Sequence, residues 1–395
     1  MKYKLADIFE KPISGEWGEE LREGEKGTKV IRTTNFTNLG RLDLNNIVER
    51  KIDLEKFQNK VLKLGDIIIE KSGGSPTQPV GRTVIFDVDS NEKYICNNFT
   101  AILRPINNVY PKYVLYLLKD LYNRKQVIKF QNKTTGIINL KLNDYLLNTE
   151  ITLPKLEIQK KIANLLDKSQ ELIDKRKAQI DVLDVLVKSR FIGMFGEWLS
   201  KKKDLYMLSE MCNFIDYRGK TPEKSDEGIP LITAKNVKNH SFSFEPREYI
   251  PSENYDDVMT RGIPKANDIL FTTEAPLGNV CRIPEIIGKF CVGQRLITMQ
   301  TLENIVPEYL EYALLSNEFQ NEMWKKSSGS TVKGIRSKEL VKLSIPVPPL
   351  DLQNQFAAFV NQVDKLKFEM EKSLKELEDN FNSLMQKAFN GELFN

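Results

Sequence analysis

The sequence predicts an α+β protein in which two similar globular domains are separated by two long antiparallel α-helices that form a coiled-coil spacer. Two observations carry this prediction: the second half of the chain repeats the first, and each half ends in a segment with helical periodicity. At 395 residues, the chain has room for about two to four domains of roughly 100–200 residues. A composition of 41% hydrophobic and 28% charged residues is typical of globular proteins, so sizeable cores are expected.

The repeat is an ordered series of matching segments. Its strongest pair closes each half, where LPKLEIQKKI at 153–162 matches VPPLDLQNQF at 347–356. A series in the same order indicates a duplication and therefore a pseudo-twofold internal repeat. The other matches are KLGDIII at 63–69 with KANDILF at 265–271, IRTTN at 31–35 with ITAKN at 232–236, YICNNFTAILRP at 94–105 with FCVGQRLITMQT at 290–301, and VYPKYVLYLL at 109–118 with VPEYLEYALL at 306–315.

Each half divides into a mixed segment and a helical one. Residues 1–153 and 204–347 alternate short runs rich in Ile, Val, Phe and Thr with turns rich in Gly, Asn, Ser and Pro, which indicates two α+β domains. Residues 154–203 and 348–395 are dense in charge and nearly free of Gly and Pro. We therefore expect a central long helix and a C-terminal long helix in these two segments.

Apolar residues recur at alternating three- and four-residue spacing in both helical segments. Such a seam over several heptads predicts that the two helices pair with each other, whereas one such helix alone would suit the edge of an ordinary bundle. About 40 residues at 1.5 Å each would span about 60 Å, the length of a rigid spacer. Proline at each start suits the first helical turn, and Gly196 and Gly391 near the ends suit a stop. The seam residues are Ile162, Leu166, Ile173, Ile180, Leu183 and Val187 in the first helix and Phe356, Val360, Val363, Met370, Leu374, Leu377, Phe381 and Leu384 in the second.

Three short motifs resemble catalytic ones but lack residues that the chemistry needs. Gly219-Lys220-Thr221 could end a phosphate-binding loop, yet Phe214 stands where that loop requires a glycine. Residues 191–196 have the wrong glycine spacing for a loop that binds S-adenosylmethionine. Residues 347–350 carry the double proline of adenine methylases without the amide and aromatic neighbours that hold a flipped base. We therefore predict no catalytic residues in this chain.

Two further features suggest chemistry only weakly. Asp43 with Glu49 and Lys51 supplies the residue types of a nuclease site, but the second half has no equivalent. His240 is the only histidine, which excludes sites that need several histidines and makes a His-dependent triad improbable. We expect His240 to lie in a solvated loop, and we predict no metal site.

Charge and cysteine content leave the partner open but favour a cytoplasmic protein. A net charge of +4 permits nucleic-acid binding without indicating it. The longest uncharged stretches fall short of the 18 or more residues of a membrane span, and Asp7 and Glu10 interrupt any apolar signal segment. The four cysteines form no Cys-x-x-Cys pair, so reduced thiols are expected.

The whole chain resembles the specificity subunit of type I restriction enzymes. The resemblance is carried by two long helices that open with Pro-x-Leu-x-x-Gln and by the segments 63–74, 216–239 and 265–279. The chain departs from the usual pattern at Leu153-Pro154-Lys155, where the family has Pro-Pro, and at Ile158 and Leu352, where it has Glu.

The resemblance implies a non-catalytic subunit that binds double-stranded DNA. Each globular domain would recognise one half of a bipartite, asymmetric site, and the helices would set the spacing and dock two DNA adenine methyltransferase subunits. Motor-nuclease subunits would join through the assembled complex. The chain itself would hold no cofactor, because S-adenosylmethionine, ATP and Mg²⁺ would be used by the partner subunits.

Candidate DNA contacts are polar or basic residues in turns that follow strands. Arg, Asn and Gln can form paired hydrogen bonds with guanine or adenine edges, while the alternative for each is a turn residue that bonds its own backbone. The candidates are Arg32, Thr34, Asn35, Lys71, Ser72, Gly73, Gln78 and Arg82 in the first half and Lys235, Asn236, Thr272, Thr273, Glu274, Asn279, Gln294 and Arg295 in the second.

Two loops at equivalent positions before the long helices are candidate phosphate clamps. Lys133 and Thr134 belong to the loop at 133–136, and Lys333 and Arg336 to the loop at 328–336. Hydroxyls, exposed amides and cations suit phosphate binding, and the alternative is a flexible solvated loop. For the whole chain, the competing hypotheses are a coiled-coil scaffold with protein-binding heads and a self-sufficient restriction or methyltransferase enzyme whose motifs have diverged.

Overall fold

A computed structural model describes residues 2–75, 77–134, 137–219, 222–285 and 288–394, without the side chains of Lys133 and Thr134. The chain forms two compact units: Met1–Arg176 with Ser373–Asn395, and Lys177–Lys372. Each unit combines β-sheets with short helices and with one segment from each of two long helices. The predicted α+β class is confirmed.

The first unit contains most of its strands before the first long helix. Single turns of 3-10 helix occur at Leu5–Ile8, Thr33–Asn35, Gln58–Lys60 and Gln126–Phe130. The strands are β1 (Lys2–Lys4), β2 (Ile13–Ser14), β3 (Thr28–Ile31), β4 (Val48–Arg50), β5 (Ile67–Glu70), β6 (Ser72–Gly73), β7 (Thr83–Ile85), β8 (Tyr94–Cys96), β9 (Thr100–Leu103), β10 (Gln131–Thr134), β11 (Ile137–Leu140) and β12 (Glu150–Thr152). The helices are α1 (Pro111–Asn123), α2 (Leu142–Asn148) and α3 (Leu156–Lys201), whose second part belongs to the other unit.

The second unit repeats this order with small changes. A 3-10 turn lies at Ser252–Asn254. The strands are β13 (Leu205–Met207), β14 (Cys212–Asp216), β15 (Ile229–Ile232), β16 (Val237–Lys238), β17 (Ser241–Phe242), β18 (Tyr249–Ile250), β19 (Ile269–Thr273), β20 (Leu277–Arg282), β21 (Cys291–Val292), β22 (Leu296–Thr301) and β23 (Ser344–Pro346). The helices are α4 (Leu208–Met211), α5 (Tyr255–Val258), α6 (Pro307–Leu314), α7 (Asn317–Lys326), α8 (Ser337–Leu340) and α9 (Leu350–Phe389), which ends in the first unit.

The two units share one sheet topology. The main antiparallel sheet has the order β2-β9-β5-β7 in the first unit and β14-β22-β19-β20 in the second. A flanking sheet has the order β4-β3-β8 in one and β18-β15-β21 in the other, and β3 runs parallel to β8 as β15 does to β21. The duplication read in the sequence therefore extends to strand order and direction.

The central strands are apolar on both faces because each face meets a different core. In β5, Ile67 and Ile69 pack with α1 and the long helices, whereas Ile68 packs with the flanking sheet. In β19, Ile269 and Phe271 face the helices and Leu270 faces the flanking sheet. Successive side chains of a strand point to opposite faces, so a strand covered on both sides shows a continuous apolar run.

Each unit packs its own two helix segments into its main core. In the first unit, buried Ile162, Leu166, Ile173 and Phe381 share a cluster with the half-buried Leu374, Leu377 and Leu384. In the second, buried Leu183, Val187, Phe356, Val360 and Val363 share a cluster with the half-buried Met370, and Ile180 is also buried.

The helix segments of the second unit run in opposite directions. The rings of Phe195 and Phe356 lie 5.5 Å apart, and the Lys367 ammonium donates to the Asp184 carboxylate at 2.7 Å. Phe356, near the start of α9, thus contacts the later α3 residue Phe195, whereas Lys367, further along α9, contacts the earlier α3 residue Asp184. The predicted antiparallel pairing is thus present in this unit.

The predicted helix ends need two corrections. Both prolines lie before their helices rather than in the first turn, since α3 begins at Leu156 and α9 at Leu350. Gly196 does not stop α3, which continues to Lys201. Gly391, with φ of 78°, does follow the end of α9 at Phe389.

The repeated glutamine of Pro-x-Leu-x-x-Gln fastens each long helix to the preceding domain. The Gln159 side-chain oxygen accepts from the Tyr110 N–H at 2.8 Å, and its amide donates to the Pro154 carbonyl at 2.9 Å. Gln353 accepts from the Val306 N–H at 3.0 Å and donates to the Pro348 carbonyl at 2.8 Å. Both glutamines are fully buried, so these bonds replace those that water would supply.

The described residues contain neither a helix that could span a membrane nor a cluster of metal-binding side chains. No helix there combines the length and apolar character needed to cross a bilayer. No group of three or more His, Cys, Asp or Glu side chains in the same ranges is arranged to hold a metal ion.

Candidate nucleic-acid interface

A four-residue turn of the same construction occurs in both units. We call residues 97–100, between β8 and β9, the first turn and residues 293–296, between β21 and β22, the second turn. The Asn97 N–H donates to the Ile31 carbonyl at 2.9 Å, and the Gly293 N–H donates to the Ile232 carbonyl at 2.7 Å. The turns are closed by Thr100 N–H to the Asn97 carbonyl at 3.0 Å and by Leu296 N–H to the Gly293 carbonyl at 3.2 Å.

The same turns are bonded to the end of each central strand. The Phe99 carbonyl accepts from the Lys71 N–H at 2.7 Å, and the Arg295 carbonyl accepts from the Thr273 N–H at 3.0 Å. Lys71 also accepts at its carbonyl from the Leu140 N–H at 2.8 Å, as Thr273 does from the Ile335 N–H at 3.0 Å. In each unit the backbone thus joins the end of the central strand to the turn and to a segment that precedes the long helix, Leu140 in the first unit and Ile335 in the second.

In the second unit these segments surround a polar cavity of about 330 Å³. Its lining includes the predicted Thr273, Glu274, Gln294 and Arg336. A neighbouring cavity of about 280 Å³ is lined by Lys235, Arg295 and again Gln294. The arrangement gathers predicted residues from four separate stretches of chain.

Several charged side chains at these cavities are paired but remain accessible. Arg295 Nε lies 2.9 Å from the Glu274 carboxylate, and each side chain is about half exposed. Lys235 donates to one carboxylate oxygen of Glu248 at 3.0 Å, and the Lys224 ammonium lies 2.7 Å from the other oxygen. Hydrogen bonds from these two lysines lower the pKa of the Glu248 carboxyl, so its charge is retained.

The loop at 328–336 is a closed hairpin. Ser328 and Gly334 exchange two backbone hydrogen bonds of 2.9 Å. Gly329 has φ of 110°, and a Cβ there would lie 2.0 Å from the Val332 carbonyl oxygen, so the turn requires glycine. Lys333 and Arg336 are exposed on this loop, as a phosphate clamp requires.

In the first unit the corresponding surface is built from a β-hairpin. Strands β10 and β11 pair with each other, and β11 pairs with β6, which contains Ser72 and Gly73. Ser72 bonds the side chain of Asn139. The Lys71 ammonium donates to the Ser14 hydroxyl at 3.0 Å. Burial lowers the pKa of the Lys71 ammonium. Thr34 and Gln78 are exposed.

Part of the predicted interface lies outside the described residues. This holds for the side chains of Lys133 and Thr134 and for Thr135 and Gly136. Lys220 and Thr221, from the motif compared above with a phosphate-binding loop, also lie outside the described residues.

Several predicted DNA contacts instead hold turns together. Asn35 and Asn236 are each only 2% exposed. Their side-chain oxygens accept from the N–H groups of Arg32 and Thr233, both at 2.9 Å, and their amides donate to the carbonyls of Asp43 and Ser243. The predicted role for these two residues is therefore corrected to a structural one.

The same correction applies to residues beside the central strands. Thr272 and Thr273 are buried, and Thr272 accepts from the Asn279 N–H at 2.8 Å. Asn279 donates its amide to the Val237 carbonyl at 3.0 Å. The Arg82 guanidinium donates to both oxygens of buried Glu70, at 3.1 and 3.2 Å. Arg32 is partly buried and donates to the Asn46 carbonyl at 3.0 Å.

Two residues considered for chemistry also have structural contacts. Asp43 accepts from the Asn45 N–H at 3.0 Å, as turn residues do. The expected solvated position of His240 is wrong: its side chain is 14% exposed, stacks on Tyr312 at 4.1 Å between ring centroids and bonds buried Glu311 at 3.1 Å.

Comparison with known proteins gives the family. The sequence model described as Type I restriction modification DNA specificity domain matches residues 1–184 and again residues 200–379. The chain belongs to this specificity-domain family. Its function of recognising DNA within a type I restriction–modification system follows from that membership, and members of the family act together with other subunits.

Relatives of this specificity-domain protein match along nearly the whole chain. A Methanocaldococcus jannaschii protein that carries the provisional name of type I restriction enzyme MjaX specificity subunit is 25% identical and covers 100% of this chain and 98% of its own length. The EcoKI specificity subunit of Escherichia coli (strain K12) is 24% identical over 92% of this chain and 82% of its own. The S subunit of a type I system from M. genitalium has a TM-score of 0.56 at 19% identity, covering 98% of this chain and 96% of its own, a likeness that supports the fold.

Three residues of the candidate interface were not predicted from the sequence. Asn98 and Phe99 are exposed on the first turn, and the matching of 94–105 with 290–301 had already aligned them with Gln294 and Arg295. Arg218 lines the polar cavity, where it pairs with Asp216 at 2.8 Å and donates to the Ile335 carbonyl at 3.1 Å. The signal for Arg218 was its place in the segment 216–239.

Proposed function

We propose that this chain is the sequence-specific DNA-binding subunit of a type I restriction–modification complex and has no active site of its own. Each unit recognises one half of a bipartite, asymmetric DNA site. The observation that carries the proposal is that one backbone scaffold occurs twice while the exposed side chains on it differ. Two such surfaces in one chain suit two half-sites of different sequence.

The long helices are the proposed docking surface for two DNA adenine methyltransferase subunits. On α3, Val182, Val185 and Leu186 are exposed at a spacing that puts them on one face. On α9, Leu366 and Phe368 are exposed within the same unit. Exposed apolar residues on helices whose seam is already packed favour a protein partner.

The remaining partners and cofactors follow from this assignment. Motor-nuclease subunits join through the assembled complex, and S-adenosylmethionine, ATP and Mg²⁺ are used by the partner subunits rather than by this chain. As a partner of DNA-modifying subunits, the protein is expected in the cytoplasm.

The proposal is tested by selection from random duplexes. The chain is co-purified with a type I methyltransferase subunit from the same genome, and bound DNA is sequenced after several rounds of selection. We expect one bipartite sequence with a fixed, unselected gap. A coiled-coil scaffold with protein-binding heads would enrich no such sequence.

A second assay tests for chemistry in the chain itself. The purified chain alone is incubated with DNA, Mg²⁺ and labelled S-adenosylmethionine. We expect neither nicking nor methyl transfer, whereas either product would indicate a self-sufficient enzyme. The assembled complex, assayed in parallel, is the positive control for methyl transfer.

A further inference from the structure

The first and second turns occupy one structural position in the two units. Three backbone hydrogen bonds match between them: from the turn to the neighbouring parallel strand, across the turn, and from the central strand to the turn. Their lengths agree within about 0.3 Å. Side chains at equivalent positions of the turns therefore leave the backbone at equivalent places.

The exposed side chains at these places differ in chemistry. Both turns carry an amide at their second position, the exposed Asn98 in one and the half-buried Gln294 in the other. At the next position the first turn has Phe99, which is 48% exposed, and the second has Arg295, whose side chain is 53% exposed. The units thus present an aromatic ring and a guanidinium at the same point of the same scaffold.

The exposed ring of Phe99 is surrounded by polar groups, and packing does not explain its exposure. Its carbonyl accepts from Lys71 and Ser72, and its neighbours on the turn are the exposed Asn98 and the buried Thr100. About half of Phe99 is buried, so the exposed part of its ring can present an edge to DNA. In the major groove, the apolar group available to such an edge is the thymine methyl.

The guanidinium of Arg295 suits guanine. Its Nε lies against Glu274, which leaves the terminal amino groups as the outward donors. A planar fork of this kind forms paired hydrogen bonds with O6 and N7 of guanine. The backbone of Glu274 is held by a β-bridge to Gly334 in the loop before α8.

We propose that Phe99 and Arg295 are equivalent specificity-determining residues that give the two half-sites different bases at the corresponding position. Phe99 packs against a thymine methyl in the first half-site, and Arg295 bonds a guanine in the second. Glu274 is the positioning residue for Arg295. This inference rests on the proposed function, because it assigns residues within the interface proposed there.

The test is duplex selection with the methyltransferase-bound complex carrying Phe99→Ala or Arg295→Ala. Each variant should lose about tenfold discrimination at a single base pair, in the first half-site for Phe99→Ala and in the second for Arg295→Ala. Phe99→Arg should shift the preferred base at its position towards guanine. Uniformly weaker binding with an unchanged selected sequence would overturn the inference.

A chemical probe isolates the methyl contact. Deoxyuridine, which lacks the C5-methyl group, replaces thymine at the position that Phe99→Ala relaxes. Wild-type binding should weaken, while binding by Phe99→Ala should not weaken further. An equal loss in both proteins would show that Phe99 does not contact the methyl group.

Glu274 is tested through the base that it affects. Glu274→Ala should relax the same base pair as Arg295→Ala and should add nothing in the Arg295→Ala background. Glu274→Gln, which keeps an acceptor oxygen, should retain part of the discrimination. A loss spread over several base pairs would contradict a positioning role.

Matched controls separate recognition from folding. Phe394→Ala removes a ring with 45% exposure outside the interface, and Arg247→Ala removes an exposed guanidinium whose Nε lies 2.9 Å from Glu245. Both should leave the selected sequence unchanged, and thermal midpoints of all variants should match the wild type. If the wild type selects no bipartite site, the proposed function fails; if it does and the Phe99 and Arg295 variants keep its sequence, only this inference fails.

Discussion

At the scale of single residues, the first unit holds a buried charged pair, Glu70 with Arg82, whose acidic position is occupied by Thr272 in the second unit. Glu70 is 2% exposed and receives two hydrogen bonds from Arg82, which also lies over the Phe36 ring at 5.8 Å. In the second unit Thr272 follows the same strand pattern and bonds the backbone instead. Charged groups so deeply buried depend on their partner, since a lone one is costly.

Arg82→Ala should therefore destabilise the first unit. The substitution leaves the Glu70 carboxylate buried without a counter-charge, and breaking such a pair costs about 3–5 kcal/mol. Thermal unfolding measures the effect, with Arg22→Ala as a control at an exposed arginine. The double substitution Arg82→Met with Glu70→Leu should recover part of the lost stability. An unchanged midpoint for Arg82→Ala alone would contradict this account.

Residues that match between the halves are mainly structural, which the sequence alone did not make clear. Asn35 and Asn236 were predicted to contact DNA because amides suit adenine, yet both are buried in turn hydrogen bonds. Gln159 and Gln353 also match between the halves, and both are held in structural hydrogen bonds. Phe99 and Arg295 differ between the halves and are exposed. Residues that hold the shared scaffold together match between the halves, so we expect recognition at exposed positions where the halves differ.

At the scale of elements, a buried polar network joins four parts of the second unit. Arg282 of β20 contacts Glu311 and Glu308 of α6 and Asp364 of α9, at 2.8, 3.4 and 2.6 Å. His240, in the turn between β16 and β17, bonds the other Glu311 oxygen. Burial raises the pKa of Glu311, but the bonds and charges of His240 and Arg282 outweigh it, so the pKa lies below its ordinary value of 4.5.

This network predicts an acid-dependent loss of stability. A carboxyl with a lowered folded pKa adds stability above its unfolded value, about 4.5, and loses it as the pH falls through the folded value below that. Glu311→Gln should therefore unfold well below the wild-type temperature at pH 7, and the gap should narrow as the pH falls below about 4.5.

Thermal midpoints from pH 3 to 7 measure that gap. Glu322→Gln is the control, because Glu322 forms an exposed ion pair with Lys325 at 3.1 Å. It should stay close to the wild type at every pH. A gap for Glu311→Gln that is independent of pH would mean that the charge of the carboxylate is not its source.

The helix pair shows what the apolar periodicity of the sequence could predict. Its apolar spacing correctly predicted antiparallel packing in the second unit, whereas the glycine rule failed at Gly196. There, buried Phe195 and Leu199 lie on either side and pack into the core, so tertiary contacts carry α3 through the glycine. Helix propensity is weaker than such packing.

The two glycines should respond oppositely to alanine. A Cβ at Gly196 would meet only the Ile192 side chain at 3.5 Å, an ordinary contact, so Gly196→Ala should stabilise by about 0.5–1 kcal/mol. Gly391 has φ of 78°, and Gly391→Ala should destabilise by about 1–2 kcal/mol. Unfolding midpoints of the two variants give the signs. Destabilisation by both would mean that Gly196 is needed for close packing.

At the scale of the whole molecule, charge is nearly balanced. The chain has 58 Lys and Arg against 54 Asp and Glu, so no strong overall field draws it to DNA. Binding must depend on a few local cations, and many of those near the interface are already paired, as Lys235 and Arg295 are. Lys333 and Arg336 are exposed, and the structure gives neither an ion pair within the described residues.

Neutralising Lys333 and Arg336 together should therefore weaken binding to all sequences about equally. Each phosphate contact contributes about 0.9 to the slope of log affinity against log salt, so loss of two should reduce that slope by about 1.8. The measurement is affinity of the assembled complex for cognate and unrelated duplexes between low and moderate salt. Substituting exposed Lys11 and Lys26 removes the same charge elsewhere and should leave the slope unchanged. An unaltered slope for the loop variant would mean that the loop does not touch phosphate, and a loss confined to the cognate duplex would place it against bases instead.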